Sequence, residues 1–267
     1  MISIFIYIFS LCSLCVFSSV EGISIFGEPS KDCRKAFGNQ LYIGPEIYHV
    51  ERKREGGTTQ TGMIYGVRAG YDHIRRYTFY LGFETLYGKG RLHGTSPAGN
   101  RLKSIFRDGY VEGRFGYTFQ QKCGYRFAFT PYIGGGYAKE CNNFIKPSPL
   151  TIHMEMKYKY FCGGFLSKMS WTPHFDMGMN FKVKYTFEPQ NSVSNDSKFD
   201  ESDMLVKEEF QYRGELPLTY HWCQEWQISL VPFYEFRHYG GHVNYPFDFF
   251  DTKLNIYGAT LKLIYCL

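Results

Sequence analysis

Apolar side chains alternate with polar residues or glycine from about residue 37 to the end of the chain. In one stretch Tyr65, Val67 and Ala69 are separated by Gly66 and Arg68, and the same spacing recurs in the segments that follow. A period of two is typical of β-strands that have one face in an apolar medium and the other in a polar one. The pattern therefore predicts an all-β protein.

The alternation divides into about ten strands, each long enough to cross a bilayer at a tilt. The predicted strands cover residues 37–50, 58–71, 76–89, 105–120, 125–138, 150–165, 173–188, 204–220, 225–239 and 253–267. Short connections at residues 72–75, 121–124, 166–172 and 221–224 alternate with long ones at 51–57, 90–104, 139–149, 189–203 and 240–252. An even strand number places both chain termini on the side of the short turns, which is the periplasm in a bacterial outer-membrane protein.

The two faces of the predicted strands differ in polarity. One face is apolar and rich in aromatic residues, and on the sixth strand it consists of Ile152, Met154, Met156, Tyr158 and Tyr160. The other face holds charges that would cost several kcal/mol each at the bilayer centre, so we expect them to line a polar lumen. These expected lumen charges are Arg68, Glu84, Glu112, Arg114, Glu155, Lys157, Lys182, Lys184, Glu209, Arg213, Glu235 and Arg237.

Strand length, alternating connections and the apolar face together predict a transmembrane antiparallel β-barrel with short periplasmic turns and long extracellular loops. The alternative is a soluble β-sandwich or a lipocalin-like barrel with its apolar face packed inward. The hairpin turns also predict which residues face each other across neighbouring strands. The expected pairs are Glu155 with Lys182, Glu209 with Arg237, Glu112 with Gly134, and Arg114 with Tyr132.

The first 22 residues are almost entirely apolar or small and are predicted to be a signal peptide, although they lack a basic N-terminal region. Residues 23–36 then form a short periplasmic segment and residues 37–267 the barrel.

No later run of about 18 apolar residues suggests a membrane helix. Aromatic residues make up 19% of the chain, as expected for strands and membrane interfaces. The net charge of +5 is spread along the chain and does not indicate nucleic-acid binding.

The last strand has outward apolar residues at alternate positions and ends at the C-terminus. Its pattern residues are Tyr257, Leu261, Leu263, Tyr265 and Leu267. On this strand and the whole of residues 37–267, the chain resembles outer-membrane β-barrel proteins of Gram-negative bacteria, whose terminal strand is read by the assembly machinery. Leu267 stands where such proteins usually have Phe. The resemblance implies a location in the bacterial outer membrane, with the lipid bilayer and the assembly machinery as partners.

Several functions are open to a barrel of this size. We expect a porin-like or structural role without catalysis, cofactor or metal, and the alternative is an adhesin that contacts host surfaces or glycans through the outer loops. Basic residues such as Arg52 and Lys89 suggest contact with lipopolysaccharide or host glycans, although ordinary solvated loop charge is the favoured explanation. The strand number also resembles omptin proteases, whose catalytic Asp and His residues line the outer rim. His174 and Asp176 are predicted at the opposite end, and His242, Asp248 and Asp251 form no evident catalytic group.

Six cysteines follow the predicted signal peptide, and their spacings show no metal motif. Cys33 precedes the first strand and Cys266 ends the last, so barrel closure brings both to the periplasmic rim. The periplasm is oxidising, which permits a disulfide between them. Crosslinking to another protein and free thiols are the alternatives.

Overall fold

A computed structural model describes residues 38–75, 77–120, 126–195, 201–223, 225–242 and 249–267. The predicted signal peptide, the 23–36 segment, Cys33 and Asp248 lie outside these residues. The predicted disulfide between Cys33 and Cys266 therefore stays a prediction. Within the described ranges, no helix has the length and apolar character needed to cross a membrane.

The described residues form strands almost throughout. Their bounds are β1 (Gly38–Arg54), β2 (Thr58–Ile74), β3 (Phe79–Thr95), β4 (Arg101–Tyr117), β5 (Phe119–Gln120), β6 (Arg126–Phe144), β7 (His153–Thr172), β8 (Phe175–Met177), β9 (Asn180–Ser194), β10 (Glu201–Leu205), β11 (Phe210–Glu215), β12 (Leu218–His221), β13 (Trp226–Tyr239) and β14 (Thr252–Cys266).

These strands form a closed antiparallel barrel with a wall of ten segments. The short strand β5 continues β4, while β8 and β9 together pair with β7, and β11 and β12 together pair with β13. The first and last strands close the wall, with Gln40 opposite Cys266 at one end and Arg54 opposite Thr252 at the other. This pairing of β1 with β14 closes the wall and confirms the predicted fold class.

Many residues that were predicted to lie in the long outer loops instead extend the strands. In the connection predicted at residues 90–104, β3 runs to Thr95 and β4 begins at Arg101. Extending a hairpin pairs backbone groups that would otherwise need water or side-chain partners. The barrel wall is consequently longer at its outer end, which is the end opposite Gly38 and Leu267.

The apolar side of the wall changes along the strands. On β1, Leu41 and Ile43 face outward with 46% and 56% of their surface exposed, whereas Tyr48 and Val50 further along are buried inside. Outward apolar residues suit a bilayer, and inward ones suit a barrel surrounded by water. The change therefore marks where the strands leave the membrane on the outer side.

This change corrects the prediction for the sixth strand, which is β7. Met154, Met156, Tyr158 and Tyr160 are buried in the barrel and do not face lipid. The side chains of Glu155 and Lys157 lie on the outer surface, 30% and 39% exposed, and are not lumen charges. In this part of β7 the strand is already beyond the apolar belt, where charged residues face water.

The predicted cross-strand pairs are also wrong. Glu155 lies opposite Ser192 and Lys182 opposite Gly164, because β7 continues to Thr172 and the turn follows at residues 173–174. Across the β4–β6 pair, Glu112 faces Gly136 and Arg114 faces Gly134, a shift of two residues.

Glu209 does not pair with Arg237. It lies between β10 and β11, and its Oε2 contacts His238 Nδ1 at 3.2 Å on the outer surface. Arg237 precedes His238 on β13 and points into the barrel, because successive side chains of a strand point to opposite faces.

Candidate functional site

The lumen is crossed by buried ion pairs between strands on opposite sides of the wall. On β2, Arg68 binds Glu46 Oε2 through Nε at 2.5 Å and Glu84 Oε1 through Nη1 at 3.0 Å. The same Nη1 lies 3.4 Å from Oε1 of Glu215, at the end of β11. Arg68 is fully buried, and its contacts join the first three strands to a distant one.

A second crossing lies close to Arg68. Lys182 Nζ on β9 binds both carboxylate oxygens of Glu112 on β4, at 2.8 and 2.9 Å. Arg114 binds the same carboxylate through Nε at 2.7 Å and reaches Glu84 on β3 through Nη2 at 2.8 Å. Three strands, β3, β4 and β9, are thereby joined by one set of charge-assisted hydrogen bonds.

A third crossing lies towards the outer end. Arg237 on β13 binds Asp108 on β4 at 3.0 Å and Glu140 on β6 at 2.5 Å, both through Nη1. The hydroxyl of Tyr239 also donates to Glu140.

Opposite charges alternate throughout this lumen network. Lys184 and Arg213 both bind Glu235, at 2.9 and 2.7 Å. Arg213 also binds Glu215 of the first crossing at 2.7 Å, and Arg237 of the third binds Glu235 at 2.9 Å, so these two crossings are linked. A buried charge is tolerated when ion pairs and hydrogen bonds satisfy it. The cations of the network are Arg68, Arg114, Lys182, Lys184, Arg213 and Arg237, and its anions are Glu46, Glu84, Asp108, Glu112, Glu140, Glu215 and Glu235.

Apolar side chains fill much of the outer half of the barrel. Ile64, Leu92, Phe106, Leu254 and Ile256 are all at most 1% exposed and belong to one continuous cluster. This part of the interior resembles the core of a soluble protein more than a water-filled pore.

One small cavity lies beside the network. A cavity of about 10 Å³ lies among Glu84, Arg114, Tyr132, Lys182 and Glu215. This volume is close to the minimum that a single water molecule requires. The described side chains therefore close the lumen both with charge pairs and with apolar packing.

The structure divides the twelve expected lumen charges into two groups. Inside the barrel lie Arg68, Glu84, Glu112, Arg114, Lys182, Lys184, Arg213, Glu235 and Arg237, while Glu155, Lys157 and Glu209 lie on the outer surface.

Sequence reasoning missed the inward carboxylates Glu46, Asp108, Glu140 and Glu215 of the network, and also Asp72, which accepts a hydrogen bond from the buried Tyr80. Asp108 could have been found, because it stands in the same alternating series as Glu112 and Arg114. Glu140 could not, because it falls in a segment that was expected to be a loop.

A histidine on the outer surface bears on the hydrolase alternative. His238 Nε2 lies 2.7 Å from Asp251 Oδ2, and its Nδ1 lies 3.2 Å from Glu209 Oε2. Both ring nitrogens of His238 thus contact carboxylates. His238 faces outward, as Phe236 does. Its contact with Asp251 joins β13 to the residue that precedes β14.

The other predicted candidates form no such group at the outer rim. Asp176 lies near the inner end, as predicted, where it contacts His221 Nε2 at 2.5 Å and Lys168 Nζ at 2.8 Å. His242 exchanges backbone hydrogen bonds with Phe249. Within the described ranges, no three His, Cys, Asp or Glu side chains are arranged to hold a metal ion.

Comparison with known proteins identifies the fold. No family model and no curated protein matches the sequence. The outer membrane protease OmpT of Escherichia coli aligns over 86% of this chain and 96% of its own, with 11% identity and a TM-score of 0.51.

Two further structures align with lower scores. They are the transport unit of the Escherichia coli autotransporter AIDA-I (TM-score 0.45, 10% identity, 91% of this chain and 94% of that one) and Ail of Yersinia pestis (TM-score 0.34, 8% identity, 85% and 99%). The likeness to OmpT, at 11% identity, shows the fold alone. The chain has the fold of a bacterial outer-membrane β-barrel.

Proposed function

We propose that this chain is a non-enzymatic barrel of the bacterial outer membrane with a structural role, and that its lumen does not conduct solutes. The observation that supports this most directly is the set of three crossings made by Arg68, Lys182 and Arg237. Each joins strands that do not neighbour each other in the wall. Of the two roles predicted from sequence, this favours the structural one over the porin-like one.

A solute could pass only if the crossings opened. Separating a buried ion pair leaves an uncompensated charge and costs about 3–5 kcal/mol. Several pairs share partners, so a path wide enough for a sugar would break more than one. The barrel in this conformation is consequently expected to be impermeable.

The terminal strand supports a proposal about assembly. On β14, Tyr257, Leu261 and Leu263 face outward, each more than 40% exposed. This is the alternating surface expected of a strand that the outer-membrane assembly machinery reads. Recognition by that machinery is part of the proposed function.

One observation favours an adhesin as a second candidate. The wall continues beyond the apolar belt with a packed interior, so a rigid surface stands outside the membrane. Such a surface is suited to contacting host cells or glycans. Cells that display the protein would then bind host cells more strongly than cells that display a variant with shortened outer hairpins, and equal binding would rule out this role.

Swelling of liposomes tests the proposed closed lumen. Refolded protein is incorporated into vesicles that are then diluted into iso-osmotic solutions of small sugars or amino acids. We expect swelling no faster than in protein-free vesicles, while a known open porin in parallel vesicles gives rapid swelling. Solute-dependent swelling with the wild-type protein would contradict the proposal.

A further inference from the structure

Five cations lie together on the outer surface of neighbouring wall segments. They belong to β3, β4, β6 and β7, and we call them the basic arc: Lys89, Arg107, Lys139, Lys157 and Lys159. Sequence analysis placed only Lys89 in a basic region and assigned Lys157 to the lumen.

Strand register brings like charges face to face within the basic arc. Lys89 lies directly opposite Arg107, and Lys139 directly opposite Lys157. Like charges opposite each other on one face are unfavourable unless an anion compensates them. The facing cations of the basic arc therefore need compensating negative charge.

The chain supplies only part of the compensating charge. Glu155 binds Lys139 at 2.8 Å and Lys157 at 2.5 Å, and Glu188 binds Lys159 at 3.2 Å. Among the described residues, neither Lys89 nor Arg107 has a carboxylate oxygen within 4.0 Å.

The depth of the basic arc matches lipid head groups. Tyr87, Tyr137 and Phe161 face outward immediately on its membrane side, with 59%, 41% and 66% of their surface exposed. Outward aromatic residues form girdles at the membrane interfaces of such barrels. Cations just beyond a girdle lie at the level of the head-group phosphates.

One other pair of cations faces each other on the outer surface. Lys53 on β1 lies opposite Lys253 on β14, but Lys253 Nζ has Asp251 Oδ1 at 3.8 Å. The pair of Lys89 and Arg107 differs from it because, among the described residues, neither of its members has a carboxylate oxygen within 4.0 Å.

We propose that the basic arc binds the phosphate groups of anionic lipid in the outer leaflet, as in the lipid A part of lipopolysaccharide. The planar guanidinium of Arg107 can donate two parallel hydrogen bonds to phosphate oxygens, and the lysine ammonium groups around it attract the phosphate as compact charges. The adjacent aromatic girdle would contact the upper acyl chains of the same lipid. This proposal is independent of whether the lumen conducts.

The test compares two variants with equal loss of charge. K89Q/R107Q/K139Q removes three cations of the basic arc, and the control K53Q/K207Q/K253Q removes three exposed lysines elsewhere on the outer surface. Each protein is refolded into phosphatidylcholine nanodiscs that contain a minor fraction of diphosphoryl lipid A. Native mass spectrometry then measures the lipid A retained by each barrel.

We expect affinity for lipid A to fall about fivefold for each cation removed from the basic arc, as for basic residues at an anionic surface. The control should bind like wild type, dephosphorylated lipid A should bind weakly, and inorganic phosphate should not displace the lipid. Equal binding by both variants, or equal binding of the dephosphorylated lipid by wild type, would overturn the proposal. Displacement by inorganic phosphate would assign the arc to a free anion and would also overturn it. If the arc variant does not fold, the comparison of the two lipids with wild type decides alone.

Discussion

At the scale of single residues, tyrosines inside the barrel lie across glycines. The ideal Cβ position of Gly136 is 2.5 Å from the hydroxyl of Tyr160, and that of Gly88 is 2.7 Å from the hydroxyl of Tyr48. The absent side chains let both rings lie against the wall while their hydroxyls donate to Glu112 and Asp108. Glycine here serves packing and hydrogen bonding together.

We predict that Gly136→Ala destabilises the barrel. The new methyl group would also meet the carbonyl oxygen of Val111 at 2.5 Å, a backbone atom that cannot move aside easily. Overpacking of this kind typically costs about 1–3 kcal/mol. Denaturant unfolding in micelles measures the loss. Gly113→Ala is the matched control, because Gly113 is exposed and a Cβ there meets nothing within 4 Å; equal stability of the two variants would contradict this account.

Glu155 is predicted to stay ionised in acid. Partial burial raises the pKa of its carboxyl, but hydrogen bonds and charge from Lys139 and Lys157 outweigh this and lower the pKa to about 2 from an ordinary value of 4.5. A depressed pKa contributes stability above the ordinary pKa, and that stability is lost as pH falls towards the folded value.

The stability difference between wild type and Glu155→Gln should therefore be constant above pH 4.5 and disappear only as the pH approaches 2. Thermal unfolding across this pH range measures it. A difference that is already absent at pH 4.5 would show that the ion pairs do not form.

At the scale of elements, β7 shows what an alternating pattern can and cannot predict. Its existence and its period of two were correctly predicted, but its lumen-facing residues were placed on the lipid side. Met156 faces inward and Phe161 outward along one continuous pairing with β6, so no bulge causes the change. The medium outside the strand changes from lipid to water instead. A period of two does not indicate at which residue this change occurs.

Register was the second feature that the sequence left open. The predicted turn at residues 166–172 lies inside β7, and that displacement moved every pair in the hairpin. Lumen partners such as Arg68 and Glu215 lie 147 residues apart, and pairing rules for neighbouring strands do not reach them. Which charges face inward was therefore easier to predict than which charges meet.

Thiol labelling should distinguish the two faces of β7. We expect Glu155→Cys to react with a membrane-impermeant maleimide in intact vesicles or cells, because position 155 faces water. Met156→Cys should remain unlabelled until the protein is denatured. Peptide mapping separates each new thiol from the native cysteines, and the opposite labelling pattern would restore the original assignment of lipid-facing residues.

At the scale of the barrel, closure between β1 and β14 accounts for the predicted class. Fold class, approximate strand number and the pairing of the first and last strands were all accessible from sequence, since each follows from repeated local patterns. Whether the lumen is open depends on contacts across it. Those contacts involve Glu140, which falls in a segment that was predicted to be a loop, and Glu215, whose partner Arg68 lies 147 residues away in the sequence.

A closed membrane barrel should fractionate with outer membranes and migrate faster on gels when it is not boiled. The reason is that the paired wall resists detergent until heat separates the strands. Gels of boiled and unboiled membrane fractions measure both properties. Recovery of the mature protein in the soluble periplasmic fraction would contradict the membrane assignment.

Single-channel recording across a planar bilayer tests the central claim, that side chains close this barrel. Wild-type protein is inserted into the bilayer, and its folded state is verified by its gel migration after recovery. We predict current no greater than that of the bare bilayer, because the crossings made by Arg68, Lys182 and Arg237 block an ion path. Stable, discrete conductance steps from the wild-type protein would contradict the account.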